Sequence, residues 1–350
     1  MDNSFDQPKQ SPRLRILLVL LAIIGLAVVV VAGWKLIMQP NVPENLENEY
    51  VIFPSGSSFD DVVAILTKGG FLKEEISFRL MAKKMKYQGR AGRFRIRPGW
   101  SNYRLVRHLR GGKQAPVKVV LVNERLPGQV AGKVGRVIEA DSFGLVTLFH
   151  DPVYLDSIGY KPETLMSLFI PNTYEFFWNT SPRQFVERML VENDKFWSKN
   201  GRLSKAEKMK MTRAEIYTLA SIVERETNQD SEKPRIAGLY LNRLKIGMPL
   251  QADPTLVFAS QDWNSRSLAK YKDLNSPYNT YKNTGLPPGP ISMASIPTID
   301  AVLNAEDHDF LFMCSLGDGT GLHAFSKTYN GHLVNIRRYK RNLIKRGRGL

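Results

Sequence analysis

The first apolar segment of the chain runs from Ile16 to Trp34 and contains no charged residue. At roughly 1.5 Å per residue, a helix of this length rises about 28 Å, which is enough to cross the hydrocarbon core of a bilayer. A buried core helix normally shows a polar stripe, and this segment has none. The pattern therefore predicts a transmembrane helix within residues 16–38.

Basic residues on the two sides of this segment predict its orientation. Lys9, Arg13 and Arg15 precede it, whereas only Lys35 follows it closely. Lys and Arg concentrate on the cytoplasmic side of membrane spans, so residues 1–15 are predicted to form a cytoplasmic tail. The segment lacks the small-residue cleavage site of a signal peptide. We therefore expect an uncleaved, single-pass anchor in the cell (inner) membrane, with the rest of the chain outside the cytoplasm.

Residues 39–48 are polar and rich in proline and asparagine, which is typical of a linker. Regular periodicity then resumes in residues 49–115, where strands alternate with short amphipathic helices. The predicted elements are a strand at Tyr50–Phe53, a helix at Phe59–Thr67, a helix at Glu75–Met85, a strand at Arg93–Ile96 and a helix from Ser101 to Gly111. This part is predicted to be a small α+β domain.

Residues 116–350 are predicted to form a second, larger α+β domain. A β-rich run at Val117–Val122 opens it, and Ser167–Trp178 looks like a turn flanked by aromatic residues. Thr212 and Glu215 have the spacing of a capping box, which predicts the start of a helix. On this helix Ile216 begins an apolar stripe, so one face is expected to pack inward. The fold class predicted for the chain is α+β.

The net charge of +16 is concentrated in the small domain, where no acidic residue lies between Ile76 and Asn123. Basic residues with interleaved aromatics such as Trp100 and Tyr103 would suit nucleic acid. The membrane anchor argues against that partner and leaves lipid head groups and cell-wall polymers. A solvated basic face without a specific partner explains the pattern equally well.

Composition also limits the chemistry. Cys314 is the only cysteine, which excludes an intrachain disulfide and a multi-cysteine metal site. The five histidines show no spacing typical of metal ligands. The sequence therefore predicts neither a metal nor a cofactor.

Two glutamates lie at the end of the capped helix, and their spacing in sequence places them on different sides of it. Glu224 and Glu226 diverge by roughly 160° around a helix axis, so they cannot both reach one bond. Glu224 borders the apolar stripe, where burial would raise its pKa and suit it to general-acid chemistry. Alternatively, both are ordinary carboxylates that pair with Arg225, Lys233 or Arg235.

Polar and aromatic motifs follow this helix. Tyr and Asn side chains together offer the flat faces and amide groups that bind sugar rings. A loop with a purely structural role explains the same residues equally well. Proline and glycine fix a rigid loop at Gly285–Ile291. The motifs are Gln251-Ala252-Asp253-Pro254-Thr255, Tyr278-Asn279-Thr280-Tyr281 and Gly285-Leu286-Pro287-Pro288-Gly289-Pro290-Ile291.

These motifs resemble those of the endolytic murein transglycosylase family, which is also called YceG-like. The resemblance also includes Leu219–Thr227, Leu241–Leu244, Pro171–Tyr174 and Gly321–Phe325. It implies a LysM-like domain at 49–115 and a catalytic domain at 116–350, with Glu224 as the catalytic acid. The substrate-binding residues implied by the motifs are Glu226, Asn242, Gln251, Asp253, Tyr278, Asn279, Tyr281 and His323.

The family resemblance implies an enzyme that cleaves the MurNAc–GlcNAc bond of peptidoglycan and closes a 1,6-anhydro ring on MurNAc. Its expected partners are glycan strands, membrane lipid and peptidoglycan synthases. Two departures from the family pattern affect loops: Asn123-Glu124-Arg125 replaces a Pro-Glu-Gly-like turn, and Ser260–Asp273 is unusually polar.

Other functions remain open at this point. A non-catalytic, membrane-anchored wall-binding scaffold is the main alternative. Ser267–Lys270 fits the S-x-x-K motif of penicillin-binding enzymes, but the other motifs of that class are missing.

Overall fold

The computed structural model describes residues 12–264 and 268–347. Lys9 and Ser267, used in the sequence analysis, lie outside these ranges. Helices and short antiparallel strand pairs occur on both sides of Pro116, so the α+β fold class is confirmed.

The chain divides into two compact units. The first contains the described residues up to Pro116 together with Phe177–Asn179. The second contains Val117–Phe176 and the described residues from Thr180 onward.

The first unit begins with helix α1 (Pro12–Met38), whose large apolar side chains from Leu14 to Trp34 are exposed, whereas Ile37 packs against the core of the unit. It is long and apolar enough to cross a membrane, which makes it a candidate membrane span by length and composition.

The rest of the first unit confirms the elements predicted for residues 49–115, within one or two residues at their ends. Val51 lies opposite Phe94 in an antiparallel strand pair, and both side chains are buried. Ser58 and Asp61 form a capping box that starts the first helix after this strand. The elements are β1 (Tyr50–Phe53), α2 (Phe59–Lys68), α3 (Glu75–Lys84), β2 (Gly92–Arg95) and α4 (Asn102–Gly111).

The second unit is mainly helical, with two further strand pairs and three short 3₁₀ segments at Leu165–Leu168, Asp230–Glu232 and Ala269–Tyr271. Its elements are β3 (Val117–Leu121), α5 (Pro127–Val134), α6 (Ser142–Phe149), α7 (Pro152–Ser157), β4 (Asn172–Phe176), α8 (Pro182–Ser198), α9 (Arg202–Met209), α10 (Arg213–Glu226), α11 (Lys233–Lys245), α12 (Asp253–Ser260), α13 (Ile296–Leu303), β5 (Phe312–Ser315), β6 (His323–Ser326) and α14 (Tyr329–Lys345).

The turn predicted across Ser167–Trp178 is wrong for its second half, which forms β4. This strand pairs antiparallel with β3, so that Val119 lies opposite Tyr174. Tyr174 and Phe176 alternate into the core. The pairing partner is remote in sequence, which explains why the local pattern did not reveal the strand.

Helix α10 is the central helix of the second unit. Its predicted capping box is confirmed: the backbone N–H of Thr212 donates to the Glu215 carboxylate at 2.7 Å, and Thr212 Oγ1 accepts from the N–H of Glu215 at 3.2 Å. The face predicted to pack inward is buried, and the burial extends beyond it, because every residue from Ile216 to Val223 is buried. Helices α11, α12 and α13 all pack against α10, so it is a core helix.

The rigid loop predicted at Gly285–Ile291 packs onto this central helix. The backbone N–H of Ile291 donates to Ser221 Oγ in α10 at 3.0 Å. A Cβ on Gly289 would lie 1.8 Å from the carbonyl oxygen of Glu163, so only glycine fits there. The loop therefore holds a fixed position beside the end of α10.

Candidate active site

Glu226 is the last residue of α10, and Thr227 leaves the helix in an extended conformation. The Glu226 carboxylate accepts a hydrogen bond of 2.6 Å from the Tyr240 hydroxyl of α11. Burial raises the pKa of Glu226 to about 7, and the charge of Asp253 acts in the same direction. The Tyr240 hydrogen bond and the charge of Arg243 oppose this increase. Glu226 can therefore exchange a proton near neutral pH.

A cavity of about 250 Å³ opens beside Glu226, and we call it the tyrosine cavity. It brings together five of the predicted site residues: Glu226, Gln251, Asp253, Tyr281 and His323. Tyr240, Arg243, Cys314 and neighbouring residues complete its wall.

Hydrogen bonds fix several side chains of the tyrosine cavity. The Tyr281 hydroxyl donates to Asp253 at 2.5 Å. His323 Nδ1 donates to the Glu232 carboxylate at 3.0 Å, and the His323 backbone N–H donates to its other oxygen at 2.8 Å. Glu232 is buried, so this pairing orients the imidazole ring.

The other three predicted substrate-binding residues do not line the cavity, and the structure gives them supporting contacts. The Asn242 amide donates to the backbone carbonyl oxygen of His308 at 2.6 Å. Asn279 is fully buried and its amide donates to two backbone carbonyl oxygens of the preceding loop, at 2.8 and 2.9 Å. Tyr278 packs against Phe258, with 4.6 Å between ring centroids. We assign these side chains to holding the loops in place.

Hydrogen bonds hold the carboxylate of Glu224, the predicted acid, on another side of α10. One carboxylate oxygen accepts from Ser295 Oγ at 2.7 Å, from Lys233 Nζ at 3.4 Å and from Thr298 Oγ1. Ser295 and Thr298 lie at the start of α13. Glu224 shares no hydrogen-bond partner with Glu226 among the described residues, which agrees with the predicted divergence of the two carboxylates. These contacts favour a structural role for Glu224.

A second cavity, of about 310 Å³, adjoins Glu226, and we call it the arginine cavity. Glu226 and Asp253 line both cavities. The arginine cavity also contains the guanidinium groups of Arg125 and Arg225 and the aromatic ring of Trp263. Space is thus available to a substrate on two sides of the Glu226 carboxyl.

Sequence analysis missed Tyr240, Arg243 and Arg125 as site residues. Tyr240 and Arg243 are three positions apart on α11, a spacing that places them on one face and that was available from the sequence. Arg125 follows β3 and gave no local signal, since its neighbours in the cavity come from distant segments. Among the described residues, no group of three or more His, Cys, Asp or Glu side chains could hold a metal ion.

Together, the fold and site describe an α+β protein with a carboxylic acid of raised pKa that lines two cavities, as expected of an enzyme that uses acid–base chemistry. The YceG-like family model matches residues 51–338, and the chain belongs to this family.

Relatives with known names agree with this membership. A Bacillus subtilis protein named endolytic murein transglycosylase is 28% identical over 315 residues, which cover 85% of this chain and 86% of that protein. A protein of the same name from Streptococcus pneumoniae is 26% identical, and the match covers 80% of this chain but only 57% of that longer protein. The crystal structure of a yceG-like protein from Listeria monocytogenes superposes with a TM-score of 0.56 at 27% identity, covering 81% of this chain and 97% of that one.

Proposed function

We propose that the protein is a peptidoglycan lytic transglycosylase, with Glu226 as its catalytic acid and base. The observation that carries this proposal is the raised pKa of Glu226, about 7, at a position where this residue lines two cavities. The names of the relatives supply the substrate class, because they are endolytic murein transglycosylases.

In the proposed reaction, the Glu226 carboxyl donates its proton to the oxygen that joins MurNAc to GlcNAc. The bond from that oxygen to MurNAc C1 breaks, and the 6-hydroxyl oxygen of the same MurNAc bonds to C1. The Glu226 carboxylate takes the hydroxyl proton and is protonated again. No water is consumed and no second carboxylate is needed, so one residue with a pKa near neutrality is sufficient.

The remaining residues support this reaction from both cavities. Tyr240 and Asp253 set the proton affinity of Glu226, with opposite effects on its pKa. Gln251, Tyr281 and His323 line the tyrosine cavity, where they can bind sugar hydroxyl and acetamido groups. Glu224 instead joins α10 to α13, which differs from the role that the sequence predicted for it.

We also propose that α1 anchors the enzyme in the inner membrane, with residues 1–15 in the cytoplasm. Its length and apolar composition support the membrane span, and Arg13 and Arg15 at its N-terminal end support this orientation. The unit at 49–115 is proposed to be a LysM-like module that contacts glycan or anionic lipid. Such an enzyme would trim or terminate new strands near the membrane, beside peptidoglycan synthases.

The test uses the full-length protein in detergent, purified glycan strands and mass spectrometry of the products. Wild-type protein is expected to release fragments ending in 1,6-anhydroMurNAc, each lighter by one water than a hydrolysis product. Glu226→Gln should lower the cleavage rate by about a thousandfold, since general acid–base catalysis contributes on this scale.

Glu224→Gln is the matched control, because it makes the same substitution two residues away on the same helix. Folded Glu224→Gln protein should keep most of the cleavage activity. The reverse result, with Glu224→Gln inactive and Glu226→Gln active, would restore the acid predicted from sequence. Cleavage unaffected by either substitution would refute acid catalysis from this helix, whereas no cleavage by the wild-type protein would leave the scaffold alternative.

A further inference from the structure

The arginine cavity combines two cations with aromatic surface directly beside the proposed acid. Arg225 precedes Glu226 at the end of α10, and Arg125 lies in the loop between β3 and α5. Trp263 and Phe258 supply the aromatic wall of this cavity. Three separate segments of the second unit thus place their side chains around one volume of about 310 Å³.

Neither guanidinium is in an ion pair with a carboxylate of the described residues. Arg225 donates to two neutral oxygens, Ser292 Oγ at 3.0 Å and the Asn123 carbonyl oxygen at 3.2 Å. The Arg125 guanidinium lies over the Trp263 ring, 4.5 Å from its centroid. Both charges therefore remain available to an anionic ligand.

The two arginines are also close enough to influence each other. Burial lowers the pKa of Arg225, and the positive charge of Arg125 lowers it further. Holding two like charges together in a partly buried cavity is unfavourable unless an anion lies between them. Glu226 in its protonated form does not supply that negative charge, and Asp253, which also lines this cavity, accepts a hydrogen bond from Tyr281 and forms no ion pair with either arginine.

Both departures from the family pattern meet in this cavity. Arg125 ends the Asn123-Glu124-Arg125 turn, and Trp263 belongs to the polar segment Ser260–Asp273. Their side chains contact each other through the cation–π pair. The contact adjoins Glu226, which lines the same cavity.

We infer that the arginine cavity binds a carboxylate carried by the muramic acid residue whose bond is cleaved, and that Arg125 and Trp263 determine this specificity. The inference rests on the proposed function and goes further by naming the substituent. The 3-O-lactyl group of MurNAc ends in a carboxyl that is free on a strand without peptide. On other strands it carries a peptide with its own carboxylates.

This ligand matches the cavity in charge and shape. A planar carboxylate can accept paired hydrogen bonds from a guanidinium, and arginine favours this geometry. The methyl and acyl groups beside the carboxylate can pack on the rings of Trp263 and Phe258. Because the cavity adjoins Glu226, binding there would position the glycosidic oxygen at the acid.

The test compares three sets of glycan strands of matched length with full-length protein in detergent. One set carries peptides, the second has been treated with an amidase and carries free lactyl carboxylates, and the third has those carboxylates capped as methylamides. Wild-type protein is expected to show a higher kcat/KM on at least one carboxylate-bearing set than on the capped set. Preference for the first or the second set identifies the source of the carboxylate.

Arg125→Gln should reduce this preference about tenfold, mainly through a higher KM, because a charge-assisted hydrogen bond is lost. Arg125→Lys should keep part of the preference. Arg136→Gln, at an exposed arginine in the same unit, is the control and should behave as wild type. Trp263→Leu provides a second variant if Arg125→Gln does not fold.

Equal kcat/KM on all three sets with wild-type protein would overturn the proposal. An unchanged preference in folded Arg125→Gln or Trp263→Leu protein would also overturn it. Failure of the proposed function gives a different result, because wild-type protein would then release no anhydro products from any set. Binding of the three sets to Glu226→Gln, measured by calorimetry, reports the preference without cleavage.

Discussion

Tyr240 donates a hydrogen bond of 2.6 Å to Glu226, joining the middle of α11 to the last residue of α10. The bond favours the ionised carboxylate, whereas burial favours the protonated form. Their balance leaves the pKa of Glu226 at about 7. A group with this pKa can both donate and accept a proton at neutral pH, as the proposed reaction requires.

Tyr240→Phe should move the alkaline limb of the pH profile of kcat/KM upward by about one pH unit. The substitution removes a hydrogen bond to the charged form, worth about 1.5 kcal/mol, and one pKa unit corresponds to about 1.4 kcal/mol. Because Glu226 must be protonated to act as an acid, activity should persist to higher pH. A limb that stays in place or moves downward would contradict the role of this bond.

Asp253→Asn should move the same limb in the opposite direction. The negative charge of Asp253 raises the pKa of Glu226, so its removal lowers that pKa. Tyr281→Phe is the control, because it removes the hydrogen bond to Asp253 and leaves the charge. Rate measurements between about pH 5 and pH 9 would show the shifts. This range extends roughly one unit beyond the expected limb on the alkaline side. Equal shifts in both variants would attribute the effect to the hydrogen bond.

Glu226→Gln should make the protein more stable than wild type at alkaline pH. The folded-state pKa is raised from 4.5 to about 7, so the folded protein keeps a proton that the unfolded chain loses in this range. Stability of the wild type therefore falls as pH rises from 4.5 to 7, by at most about 3 kcal/mol. Urea unfolding should show a stability difference between variant and wild type that is larger at pH 8 than at pH 4. A pH-independent difference would contradict the raised pKa.

Glu224→Gln should lower the free energy of unfolding by about 2 kcal/mol, because three side-chain donors lose a charged acceptor. Lys233 would keep only Asp230 as an ion-pair partner among the described residues. Glu207→Gln, at an exposed residue of α9, serves as the control and should change stability by less than about 0.5 kcal/mol. Thermal unfolding of both variants tests the difference. Equal stability would show that the Glu224 contacts contribute little.

Local periodicity was sufficient to predict the strands and helices of residues 49–115 in the first unit. Strand β1 and helix α2 were predicted correctly because Val51, Phe53 and Val62 repeat at the spacing of their own elements. The capping box at Thr212 likewise fixed the start of α10 from four adjacent residues. The burial of α10 on all sides was not predictable in this way, since it depends on helices that arrive later in the chain.

In the candidate site too, local motifs predicted some residues, and contacts with distant segments decided the rest. Motif residues such as Gln251, Tyr281 and His323 were predicted and do line one cavity. The choice between Glu224 and Glu226 depends on partners from α11 and α13, which no spacing within α10 reveals. The apolar stripe beside Glu224 suggested a catalytic acid there, whereas the structure gives its carboxylate three side-chain hydrogen-bond donors.

The burial of α10 from Ile216 to Val223 has a consequence for how this protein responds to heat. The terminal turn of an exposed helix opens easily, and a proton-transfer group placed there would lose its geometry before the rest of the fold. Here the turns before Glu226 belong to the core of the second unit, and the loop at Gly285–Ile291 packs against them. Catalysis should therefore be lost over the same temperature interval in which that unit unfolds cooperatively. No inactive but folded state should lie between the two.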